Sequence, residues 1–160
     1  MAELNRWYCW DGVRWVQERK NGYYKTARDL CRQALFWEGA ALLSPTARRS
    51  LGRATTAANV VVNLRRTPDI GLVPEELDSD PWVLCTPEGT VDLKTGKLVE
   101  SSREQYCTKS TLVAPKDSEC PLWLALVDRI ARGDESMRSY IARWCGYLLT
   151  GETREESLLF

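Results

Sequence analysis

Two apolar stripes at helical spacing, in residues 120–160, constrain this chain more than any other feature. Pro121 suits a first helical turn, where its missing N–H is not needed. Leu122, Leu126, Val127, Ile130 and Ala131 then recur at the helical period, and Gly133 ends the run. Asp134 can cap a second helix by accepting from its first free backbone N–H groups. Met137, Tyr140, Ile141, Trp144, Cys145, Leu148 and Leu149 form its stripe, closed by Thr150-Gly151. The spacing predicts two paired helices with Trp144 largely buried against the preceding one. After a charged turn, Glu152 to Glu156, the run Ser157-Leu158-Leu159-Phe160 reads as the opening of a buried strand. A cut inside a larger protein is the expectation that follows.

A chain of 160 residues holds one core, or one modest domain with a small appendage. Its 44% apolar and 28% charged residues are ordinary for a globular protein. No apolar run approaches a membrane span, and the N-terminus lacks the layout of a signal peptide, which points to the cytosol and to no membrane partner. The six cysteines make no Cys-x-x-Cys pair and there is no histidine, so no zinc site is expected and the thiols read as reduced and structural. The lack of histidine also excludes a histidine-assisted nucleophile within this sequence. No GxxxxGK[ST] phosphate loop occurs.

Charge is balanced overall but uneven along the chain. Residues 1–66 carry twelve Lys/Arg against five Asp/Glu (+7), and residues 67–160 carry ten against seventeen (−7). Such a dipole can draw nucleic acid to one end or align copies head to tail, and it can equally be solvated charge.

At the N-terminal end, Arg6 to Val16 reads as a hairpin around a two-residue Asp11-Gly12 turn. Its Trp7, Trp10 and Trp15 can stack bases, or simply pair across strands. A first helix is predicted over Thr26 to Glu38, with Thr26 as cap, Ala27, Leu30, Cys31, Ala34 and Leu35 inside, and Gly39 as its end. A second, capped by Ser44 with Pro45 in its first turn, runs to about Arg66 before Thr67-Pro68 breaks it. It carries Arg48, Arg49, Arg53, Arg65 and Arg66 without an acid, which makes it either a phosphate-contacting surface or a solvated basic face.

Residues 67–80 read as an acidic connector. Its Glu75, Glu76, Asp78 and Asp80 are solvated acids or, less in keeping with a polar loop, metal ligands. From Pro81 to Leu98 the pattern predicts a β-meander. Pro87 sits at a turn corner, Gly89 in a conformation open to glycine, and Asp92 and Thr95 can bond turn backbone. The whole predicts an α+β fold, mainly helical, with small antiparallel hairpin and meander elements. It divides into a basic hairpin-and-helix half (1–66), the connector (67–80) and a meander with a helical pair (81–160), within one compact domain.

The run Trp82 to Leu98 with its GTVDLKTGKL is followed by Tyr106-Cys107-Thr108-Lys109 and Cys120-Pro121-Leu122-Trp123. Arg132-Gly133-Asp134 and Trp144 to Thr153 complete the series. In this order the segments resemble the domain preceding the helicase motor in phage, plasmid and poxvirus DNA primase-helicases, of superfamily III and the AAA+ class. Glu88 departs from the family's usual Asn before Gly, which bears on turn geometry alone. The resemblance implies a non-catalytic accessory domain of a phage or mobile-element replication protein. It would help hold a homo-oligomeric ring and guide DNA, sitting against the downstream helicase domain in a bacterial host cytoplasm. No catalytic residue carries over, and ATP and Mg2+ are expected only in the motor beyond Phe160. The isolated chain is expected to be a monomer or weak oligomer. The competing reading is an autonomous nucleic-acid-binding module using the Arg48–Arg53 helix and the hairpin tryptophans.

Overall fold

The computed structural model describes residues 6–154. The predicted strand at Ser157–Phe160 lies outside the described residues. The fold is α+β and mainly helical, with five α-helices and two small antiparallel sheets among the described residues. The chain forms two compact units. The first comprises residues up to Asp11 together with Trp15–Leu77, and the second comprises Gly12–Arg14 together with the residues from Asp78 onward.

In the first unit, β1 (Tyr8–Trp10) pairs antiparallel with β2 (Trp15–Gln17), Trp10 opposite Trp15. The turn is longer than the two residues predicted, spanning residues 11–14, with Gly12 at φ 108°. Gly12–Arg14 belong instead to the second unit. There the Cys85 thiol donates to the Val13 carbonyl at 3.6 Å and Arg14 Nη1 donates to the Thr108 carbonyl at 3.5 Å. Tertiary partners outweigh the local turn preference.

Helix α1 spans Gly22–Gln33, four residues earlier than predicted. Asn21 sits at its N-cap in the left-handed region, and Thr26 is inside the helix, its hydroxyl bonded to the Gly22 carbonyl at 3.1 Å. The earlier start is explained by anchors the local pattern does not carry: Tyr23 stacks on Trp7, and the Tyr24 hydroxyl donates to the Ala54 carbonyl at 3.2 Å. After Gln33 the chain tightens into 3-10 turns at Ala34–Phe36 and Glu38–Leu42, so Gly39 lies within a turn.

The single second helix predicted is two helices, α2 (Pro45–Leu51) and α3 (Ala54–Arg65). Ser44 caps α2 as expected, accepting from Ala47 N. Gly52 and Arg53 break the run. Gly disfavours a helix interior by about 1 kcal/mol relative to Ala, and the Thr56 hydroxyl fastens the corner to the Ser50 carbonyl at 2.6 Å. Helices α1 and α3 pack through Ala27 and Cys31 on one side and Ala57 and Val61 on the other, all buried.

The second unit holds a three-stranded meander, β3 (Val83–Thr86), β4 (Gly89–Asp92) and β5 (Lys97–Val99), in that spatial order. Pro87 and Glu88 turn between Thr86 and Gly89, which are paired. Asp92 organises the next turn: its carboxylate accepts from the Thr95 hydroxyl at 2.7 Å and Lys94 N at 2.9 Å, and these bonds hold its pKa below the usual carboxylate range. Thr86 and Thr90 are almost wholly buried and satisfied, the first by the Gly89 carbonyl, the second by Ser101 and Gln105.

Helices α4 (Pro121–Ala131) and α5 (Glu135–Leu148) fall where the pattern placed them. The Asp134 carboxylate accepts from Ser136 N and Met137 N. The pairing buries less than expected. Val127, Ala131 and Ile141 are buried, whereas Leu122, Leu126, Ile130, Met137 and Leu148 are exposed. Trp144 is half-buried, its ring 6.5 Å from Tyr140 and 5.9 Å from Tyr147 on the same helix, so its expected deep burial does not hold. A two-helix seam covers only part of a stripe at least 100° wide.

Gly89 has φ 147°, and a Cβ there would be driven into the Val99 carbonyl of the adjacent strand. Gly89→Ala is expected to destabilise the unit by about 2–3 kcal/mol, read as a lower urea midpoint; an unchanged midpoint contradicts this reading of the turn. The Cys107 thiol is pushed up from 9.0 to about 11, mainly by burial, with Cys85, Asp78 and Asp80 adding to it. The folded protein therefore keeps this proton where the unfolded chain releases it, and stability present below pH 9 is lost as pH climbs toward about 11. Denaturation series across that window should show a steeper loss for the wild type than for Cys107→Ala, and equal slopes would contradict the assignment.

Candidate nucleic-acid interface

The cations singled out from sequence fall into two groups along the first unit. Arg48 and Arg49 lie in the last turn of α2, and Arg53 is the N-cap residue of α3, all three exposed. Arg49 Nε donates back to the Pro45 carbonyl at 3.3 Å. Arg65 occupies the last turn of α3 and Arg66 its C-cap. The 1.5 Å rise of an α-helix sets the two groups roughly 18 Å apart along α3. A cation suits a helix C-terminus, so Arg48, Arg49 and Arg65 gain from the macrodipole; Arg53, at an N-terminus, does not. The basic face read as one continuous helix is thus two separate clusters.

The tryptophans separate as well. Trp10 and Trp15 pair edge to face across the hairpin, 5.8 Å between centroids and 62° between planes. Both are half-buried by this cross-strand pairing. Trp7, three residues from Trp10, falls on the opposite side of the two-residue strand alternation. It stacks on Tyr23, centroids 5.2 Å apart and planes 17° from parallel. Its indole Nε1 is buried and finds no acceptor among the described residues, so packing holds the ring. The Arg65 guanidinium lies 5.6 Å from the Trp7 centroid and 5.8 Å from that of Tyr23. Two residues nominated independently, 58 positions apart, therefore meet in one cluster.

Tyr23 is the member the sequence reading missed. The adjacent Tyr23 and Tyr24, directly after Asn21-Gly22, were the available signal, because adjacent aromatics at a helix start need partners to cover them.

The connector acids are engaged locally. Asp78 accepts from Thr108 N, the Thr108 hydroxyl and Lys109 N, Asp80 from Trp82 N, and Glu76 from Val73 N. Among the described residues, no group of three or more Cys, Asp or Glu side chains is placed to hold a metal ion. No helix among them is long and apolar enough to cross a membrane.

A family model described as D5 N terminal like matches residues 2–132. No curated protein matches the chain.

If Arg48, Arg49 and Arg53 touch phosphates, reversing all three to Glu lowers the log–log salt slope of DNA binding by about two to three, roughly one unit per contact. Fluorescence anisotropy at several salt concentrations measures it, and an unchanged slope removes these three from the interface.

Proposed function

Because the chain belongs to the D5 N terminal like family, the N-terminal domain of D5-like phage and poxvirus primase-helicases, we propose that it is a non-catalytic accessory domain of such a protein in DNA replication. In this reading it helps hold subunits in a ring and guides DNA toward the motor. The observation that carries it is the family match, which spans 131 of the 160 residues, from 2 to 132. The first unit adds chemistry of the right kind. It displays exposed arginines at both ends of α3, one of them beside two stacked aromatic rings, the side chains that meet phosphate and base.

Nothing in the sequence supplies a phosphate loop or a histidine base, so the chemistry of unwinding belongs to other parts of the parent protein. The purified chain is expected to bind DNA with a steep salt dependence and to show no Mg2+-dependent ATP turnover. ATP hydrolysis that survives repurification contradicts the accessory reading. The absence of DNA binding at low salt contradicts the guiding role.

A further inference from the structure

We propose that Trp7, Tyr23 and Arg65 form one nucleotide-sized subsite for single-stranded DNA, Arg65 taking a phosphate and the groove beside the two rings taking a base. The inference rests on the DNA-guiding reading above and assigns that role to particular atoms. The Arg65 guanidinium carbon stands 5.6 Å from the Trp7 centroid and 5.8 Å from that of Tyr23, nearly equal distances that set it beside the stacked pair. Its N–H groups form a planar fork suited to a two-pronged bond with phosphate. The side chain is exposed, and no described carboxylate side chain pairs with it. Contact with the rings restricts the side chain in advance, which lessens the entropy lost when an anion binds. The C-terminal end of α3 repels anions, so attraction here depends on Arg65 and its neighbour Arg66.

The same two rings wall a groove of about 420 Å³ between α1 and α3, also lined by Thr26, Leu30, Val60 and Leu64. Leu30 and Leu64 remain 44% and 39% exposed. Lys25 and the carboxylate of Glu18 also line it, one charge of each sign. A flat, apolar-faced heterocycle tethered to an anion matches this apolar slot with Arg65 standing beside the rings that wall it. In a duplex the base faces are covered by their neighbours, so only an unstacked strand can offer one.

The test is salt-titrated binding of a labelled oligothymidylate of about 16 nucleotides, against an abasic strand of equal length and a duplex. The intact chain should prefer oligothymidylate to both. Arg65→Ala should weaken binding about tenfold and lower the salt slope by about 0.7, the value of one single-strand phosphate contact. Arg65→Lys, which keeps the charge without the planar fork, should keep the slope and still bind several-fold more weakly than wild type. Leu30→Trp fills the groove from an exposed position; it should erase the preference for oligothymidylate over the abasic strand while leaving the slope intact. Circular dichroism confirms that each variant is folded. Wild-type affinity in Arg65→Ala, alongside lost binding in the Arg48/Arg49/Arg53 variant, overturns the subsite and leaves the guiding role standing. A preference for duplex overturns the single-strand assignment. No binding by the wild type removes the guiding role itself, and the subsite with it.

Discussion

Ala57 is completely buried and Ala27 nearly so, and the approach of α3 to α1 that these small side chains permit decides where much of the first unit lies. With Cys31 and Val61 they form a seam with no long side chain to hold the helices apart, and helix separation follows the size of the residues at the contact. The direction of α3 is set by that seam and by the Tyr24 hydroxyl bonded to its first residue. Once α3 is laid along α1, its last turn arrives beside Tyr23, and Arg65 meets the rings. A cation–π contact at an exposed site contributes only about 0.5–1 kcal/mol. Burial of Val61 alone contributes about 1.5–3 kcal/mol, and the three smaller side chains add to it. The helix seam therefore positions the arginine, and the arginine does little to hold the seam.

The second unit is organised by polar bonds in its turns. Asp78, with φ 51°, collects three donors from Thr108 and Lys109 thirty residues away. Asp92 likewise accepts within the meander, while the Thr86 hydroxyl donates to the Gly89 carbonyl and the Thr90 hydroxyl to Gln105 Oε1. Acids that by composition resemble a metal cluster are thus occupied as caps and turn anchors. The negative balance of this part of the chain is consistent with those roles, while the arginines of the first unit include several with no described acidic partner.

What the sequence made legible was whatever is enforced locally. Pro121, Gly133 and Asp134 mark α4 and α5 because capping acts within one turn, and Ser44-Pro45 marks α2 for the same reason. The meander followed from Pro87, Gly89 and the Asp92–Thr95 turn. The misses share a different cause. The start of α1 moved because Tyr23 and Tyr24 find partners in β1's approach and in α3. The hairpin turn lengthened because Val13 and Arg14 bond elsewhere. The break at Gly52 was masked by apolar positions that kept the helical period on both sides of it. Trp144 read as core because a stripe shows which face is apolar and does not show how much of it a neighbour covers. The site was half legible: residue types flagged Trp7 and Arg65 singly. Their meeting across 58 residues has no local signal, and neither has the separation of Arg48, Arg49 and Arg53 from it.

In the function proposed above, the first unit contacts DNA through α3 and the rings at its end. Photocrosslinking of a halogenated oligothymidylate to the intact chain, with the modified peptides read by mass spectrometry, tests it most directly. Adducts are expected on Trp7 or Tyr23 and should be lost when an unlabelled strand competes. Adducts confined to the second unit, from Asp78 onward, would contradict it.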